Sequence, residues 1–199
     1  MTNKNENKNK EALLKAAEAC VLKGEIQNLT MDVIARRAGL SRKTLYRVFK
    51  NKNDLLTSLI ELHQSNSIAK KVKKAIAELD FEDSIVQGNL LTIRLIKKDP
   101  FLVETIRKSG APWFQSQLMQ SDSELHIRLL SGSIEMWEEK LDQLREEGTL
   151  NAVLSNEAII EWFSLINYSL LMRSNVSRTT QVYFYKTFVV PPLRNPQSR

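Results

Sequence analysis

A chain of 199 residues, 42% hydrophobic and 26% charged, has apolar material for one core or two small ones, which excludes wholesale disorder and collagen-like repeats. It has no run of about 18 apolar residues, and the opening MTNKNENKNK lacks the apolar stretch of a secretory signal, so a cytoplasmic protein without membrane association is expected. The net charge of +6 is localised: residues 1–60 hold 12 Lys plus Arg against 6 Asp plus Glu, while residues 61–199 hold 17 of each.

Taken in chain order, residues 1–10 read as a disordered basic arm. From Glu11 to Lys23, Leu13, Leu14, Ala17, Cys20 and Val21 recur at three- and four-residue spacings, which predicts a first helix stopped by Gly24. The single cysteine, Cys20, has no internal partner for a disulfide and reads as a small buried hydrophobe. Thr30 is a cap for a short second helix at about 31–38, with Asp32 suited to the positive end of its dipole. Gly39 supplies the permissive backbone of a tight turn, and Ser41 caps a third helix. Ile34, Ala35, Ala38, Leu40, Leu45 and Val48 place small or apolar groups where two helices crossing steeply must touch, the pattern of a helix-turn-helix.

Between Asp32 and Asp54 there is no acid, yet Arg36, Arg37, Arg42, Lys43, Arg47, Lys50 and Lys52 all fall there. A solvated surface normally intersperses its signs, so an unrelieved basic block points to a polyanion, most commonly nucleic acid. Arg42, Lys43 and Arg47 point away from Leu45 and Val48, the division that a helix lying in a major groove requires.

The remainder is helical in pattern. A long fourth helix is predicted at about 54–79, then helices near 83–98, 100–109, 113–120, 122–147, 156–174 and 178–190, broken at Pro100, Pro112 and Gly148. No strand-like alternation of useful length occurs, so the fold class is all-α: a helix-turn-helix domain at 11–53 and a helical domain at 54–199. Residues 156–174 are apolar nearly all round and 178–190 form a second apolar helix, which predicts a homodimer interface there. His126 heads a stripe of Leu130, Ile134, Trp137, Leu141 and Leu144, and Arg94 sits within NLLTIRLI. With Phe101, Trp113, Trp137 and Phe163 these are the candidates to line a small-molecule pocket, although core packing accounts for the aromatics equally well. Only two histidines, His63 and His126, are present, with no paired cysteines and no hydrolase, zinc-protease or phosphate-loop motif, so no catalytic residue, cofactor or metal is expected.

The stretch TMDVIARRAGLSRKTLYRVFKNKNDLL, within residues 11–60, closely resembles the N-terminal domain of the tetracycline-repressor (TetR) family. The shared elements are Ile34–Ala35, the turn Ala38–Gly39–Leu40–Ser41, the run Thr44–Leu45–Tyr46–Arg47–Val48–Phe49, and Lys52 opening the fourth helix. Cys20 replaces a usual aromatic, Glu25–Leu29 is one residue longer than usual, and Lys43 stands where glycine is common. Chemistry and resemblance together assign base-edge contacts to Arg42 and Lys43, a thymine methyl or phosphate to Thr44, and backbone clamping to Tyr46 and Lys52. Thr30 and Arg37 are assigned to neighbouring phosphates, and Ser41 and Arg47 complete the expected DNA-binding set. The resemblance further implies a homodimer joined through its last two helices, repressing from a palindromic operator and released by a small, mainly hydrophobic effector acting through the fourth helix. A DNA-binding organiser without an effector, whose second domain holds a protein partner, stays open as the alternative.

Overall fold

The computed structural model describes residues 2–197. The helices are α1 (Thr2–Val21), α2 (Met31–Arg37), α3 (Arg42–Val48), α4 (Lys52–His63), α5 (Lys70–Ile76), α6 (Phe81–Lys98), α7 (Pro100–Arg107), α8 (Ala111–Leu118), α9 (Glu124–Glu146), α10 (Asn156–Met172), α11 (Arg178–Phe184) and α12 (Val190–Leu193). No strand occurs among the described residues, as the sequence pattern led us to expect. The chain divides into two compact units, one comprising the chain up to His63 with Asp99–Arg128, the other Gln64–Lys98 with the chain from Leu129 onward.

In the first unit, Leu13, Ala17, Cys20 and Val21 of α1 are buried together with Ile34, Ala35, Leu45 and Phe49. The bulk of this core is therefore set by the three- and four-residue spacings of α1 and the small side chains of α2. The expected loose arm is a correction: α1 begins at Thr2, not Glu11. Its first half contains neither glycine nor proline, and residues 5–8 are exposed, a solvated stretch of the helix. Lys15 adds an i,i+4 pair by donating to Glu11 at 2.7 Å. A boundary at residue 53 also does not match, because α7, α8 and the first turn of α9 belong with the helix-turn-helix. Most of the joining contacts are between residues distant in sequence. His63 at the end of α4 stacks on Phe101 with ring centroids 4.4 Å apart and lies 2.7 Å from Asp99 and 3.3 Å from Glu18. Arg128 meets Asp54, Glu61 and Glu124 at 3.2, 3.3 and 2.6 Å. Amphipathic periodicity says that a helix has a buried face, not which helix covers it.

In the second unit α6 packs against α5, α10 and α11. Gly88 permits this closeness, since a Cβ there would stand 2.4 Å from the Trp137 ring and 2.9 Å from Ile76. Trp137 and Phe163 are buried, with ring centroids 5.1 Å apart. A polar network threads the same core: Asn167 donates to Asn89 at 2.8 Å and accepts from the Tyr185 hydroxyl at 2.5 Å. Burial of that hydroxyl pushes the Tyr185 pKa well up. The predicted helix at 54–79 is instead α-helical as α4, π-helical over Gln64–Ala69 and α-helical again as α5. Within the π-helical stretch Gln64 donates to Ser133 at 2.9 Å. On α10 and the segment after it, Trp162, Leu165, Met172, Tyr183 and Phe188 remain 40–64% exposed.

Candidate nucleic-acid interface

The helix-turn-helix is built by local chemistry that the sequence announces. Thr30 Oγ1 accepts from Val33 N at 3.3 Å and so caps α2. Gly39 takes φ +66° in the turn, the left-handed region that side chains resist. Ser41 Oγ accepts from Thr44 N at 3.1 Å and lies 2.9 Å from Thr44 Oγ1, so both hydroxyls serve the start of α3. Leu45 anchors α3 in the core at 0% exposure, which turns Arg42, Lys43, Tyr46 and Arg47 to solvent. Beyond α3, Asn51 Oδ1 accepts from Asp54 N at 2.9 Å and Asp54 accepts from Lys50 N at 2.8 Å. These two bonds fix where α4 leaves the turn.

The nine expected DNA-binding residues therefore fall into three groups. Lys43, Arg42, Tyr46 and Arg47 form an exposed face on α3. Lys43 has no ion-pair partner among the described residues, whereas Arg42 Nε is 2.7 Å from Asp32 and Arg47 Nε is 4.0 Å from Glu6, all at exposed positions. Thr30, Ser41 and Thr44 are engaged in caps. Arg37 and Lys52 are tied back into the fold. The Arg37 guanidinium donates to Cys20 Sγ at 2.6 Å and to Glu25 at 3.1 Å, contacts that raise its pKa, the cysteine contact most. The Lys52 ammonium donates to Ile26 O at 2.7 Å, and partial burial lowers its pKa. These tethers restrain both side chains while leaving free donors, Nη2 and Nε of Arg37 and two protons of the Lys52 ammonium, for the phosphate roles expected of them. Arg36, exposed at the end of α2 and without an ion-pair partner among the described residues, belongs to the same basic surface. The acid-free run in the sequence was the signal for it. Arg128, which holds Asp54 from 74 positions away, left no such signal.

The six candidate pocket residues are divided between the two units. Phe101, Trp113 and His126 lie in the unit of the helix-turn-helix, and Arg94, Trp137 and Phe163 lie in the other. Phe101 is buried against His63, Trp113 Nε1 donates to Asn53 at 2.9 Å, and His126 Nδ1 is 3.1 Å from Leu118 O. Trp137 and Phe163 fill the second core. Periodicity marks aromatics as buried without saying in which core. Arg94 alone is exposed on an open groove of about 600 Å³.

Residues 13–59 match the model of the family described as bacterial regulatory proteins, tetR family. Over that segment the chain is similar to the tetR family. Uncharacterised HTH-type transcriptional regulators of Mycobacterium tuberculosis and Mycobacterium bovis are each 22% identical over 122 residues, 61% of this chain and 62% of theirs. The chain thus spans less than two thirds of the length of these curated relatives. Among solved structures, the TetR-family repressor AlkX from a Dietzia strain, implicated in biodegradation of n-alkanes, aligns with a TM-score of 0.62 at 17% identity, covering 92% of this chain and 94% of its own. The transcriptional regulator FadR of Bacillus subtilis, solved with stearoyl-CoA, aligns at 0.61 and 17% identity over 87% and 96% of the two chains. FadR of Bacillus halodurans, a fatty acid degradation regulator, aligns at 0.59 and 20% over 88% and 91%. At these identities the likeness is one of fold. No helix among the described residues is long and apolar enough to cross a membrane.

Proposed function

We propose that the protein is a homodimeric repressor that holds a palindromic operator through α3 of each subunit and lets go when a small molecule binds. The observation that carries the DNA-binding part is the capped, core-anchored α3 with Lys43, Arg42, Tyr46 and Arg47 on its solvent face. Phosphates would gather on the surrounding cations, Arg36 among them, while Lys43 and Arg42 read base edges. The dimer reading is supported by the apolar stripe of α10, where Trp162, Leu165 and Met172 recur at helical spacing, continued by Tyr183 and Phe188. A lone chain would leave this stripe in water.

Ligand release is supported by the kinship of fold with FadR solved with stearoyl-CoA. Such a ligand acts only through its preference for the DNA-free state. About 10⁴-fold preference, ~5.5 kcal/mol, takes a population from 1:99 to 99:1.

The test is selection of genomic fragments by the purified protein, followed by footprinting of the enriched sequence. Two inverted half-sites about one helical turn apart, ~34–36 Å, are expected. Failure to enrich any sequence, or a protected site without two-fold symmetry, would overturn the reading.

A further inference from the structure

The groove that contains Arg94 lies wholly in the second unit and has a composition unlike its surroundings. Leu79, Leu90 and Leu91 contribute an apolar floor, and Arg94, Lys97, Lys98 and Arg178 contribute four cations. None of its eleven lining residues is acidic, although residues 61–199 as a whole carry equal numbers of acids and bases. Four cations elsewhere in this unit are paired with acids, Lys73 with Glu139 at 3.2 Å, Arg145 with Asp142 at 2.8 Å, and Lys186 and Arg194 with Glu82 at 2.7 and 3.6 Å. Cations without an ion pair among the described residues, such as Lys74 and Lys140, line a different groove that also contains Glu78 and Glu139. Arg94, Lys97 and Lys98 make no ion pair among the described residues.

Helix electrostatics account for only part of this cluster. Lys97 and Lys98 sit in the last turn of α6, where the dipole favours cations. Arg94 lies a turn earlier. Arg178 is the first residue of α11, the end at which a cation is disfavoured, and its side chain donates to Gln87 of α6 at 3.2 Å, which draws the guanidinium to the groove. A neutral apolar ligand would leave the cations unused, and a small inorganic anion would leave the floor bare. The volume of about 600 Å³ lies within the range for sites that take molecules of drug size.

We propose that this groove binds an amphiphilic anion, a molecule with one apolar body and a carboxylate or phosphate head. The head is held by the Arg94 and Arg178 guanidiniums, and the body lies on Leu79, Leu90 and Leu91. That this ligand is also the one that releases DNA rests on the ligand-responsive reading above. The expected effector is then not simply hydrophobic but charged at one end.

Titration calorimetry on the full chain, with dodecanoate and dodecyl phosphate below their micelle concentrations, tests the site. Dodecanol, inorganic phosphate and phosphatidylglycerol vesicles serve as the comparison probes. One anion per chain should bind, with Arg94→Ala and Arg178→Ala each weakening it about tenfold or more, as loss of a charge-assisted hydrogen bond implies. Leu91→Glu, which puts an acid on the floor, should abolish binding while circular dichroism shows the fold retained. Equal binding of dodecanol, full affinity in all three variants, or binding to vesicles but not to the free anions would overturn the proposal. So would Arg94→Ala changing subunit association and leaving ligand affinity alone. Operator binding is measured in parallel. An anion that binds with the expected variant pattern yet leaves DNA affinity intact supports the groove and overturns release by this ligand.

Discussion

In the free protein the Arg42 guanidinium faces a competitor. Asp32 Oδ1 lies 2.7 Å from Arg42 Nε, with the two side chains 48% and 67% exposed. An exposed pair of this kind is worth ~0.2–1 kcal/mol, and DNA binding must either break it or carry the carboxylate towards phosphates. Asp32→Asn keeps the shape and removes the competitor. Each subunit then gains up to that amount on DNA, so a dimer gains ~0.4–2 kcal/mol, or about 2- to 30-fold in affinity. Folding stability should fall by less than ~1 kcal/mol, because Asp32 is also the acid in the first turn of α2. Fluorescence anisotropy with a labelled operator, on wild type, Asp32→Asn, Arg42→Ala and the double variant, isolates the coupling. Weaker operator binding by Asp32→Asn, or the same gain from it in the Arg42→Ala background, would refute the competition.

Lys43→Ala should leave stability unchanged and relax base preference by ~1–3 kcal/mol at the contacted pair, whereas Lys52→Ala should cost ~0.5–1.5 kcal/mol of stability through its lost bond to Ile26 O. Urea unfolding together with binding to mutated operators distinguishes these two signatures, and selectivity that shifts equally in both variants would contradict them. Gly88→Ala, which forces a Cβ to 2.4 Å from Trp137, should destabilise by ~1–3 kcal/mol in denaturant titration; a variant as stable as wild type would mean that the α6 packing is looser than described. Trp162→Glu should give a monomer in sedimentation, and an unchanged mass would remove α10 from the interface.

What could be read from the sequence was what depends on near neighbours. The Thr30 and Ser41 caps, the Gly39 turn and the start of α7 at Pro100 are decided within a few residues, and the structure has them as expected. The destinations of long side chains are not local. Lys52 and Arg37 read as phosphate ligands because they are cations in an acid-free run, yet they bond to partners 26 and 17 positions away. The pocket candidates show the same limit, since a buried aromatic stripe carries no label for its core. The polarity of the N-terminal residues suggests an arm, but polarity in a stretch without glycine or proline is compatible with a solvated helix. At Gln64–Ala69 the apolar period continues while the backbone widens, and periodicity is blind to that change.

The claim that this basic surface holds duplex DNA is tested most directly by the salt dependence of operator affinity. If the two copies of the surface make on the order of 6–10 phosphate contacts, log affinity should fall against log salt with a slope of about −5 to −9. A slope shallower than about −3 would contradict the account, because so few released counterions cannot come from two such surfaces on DNA.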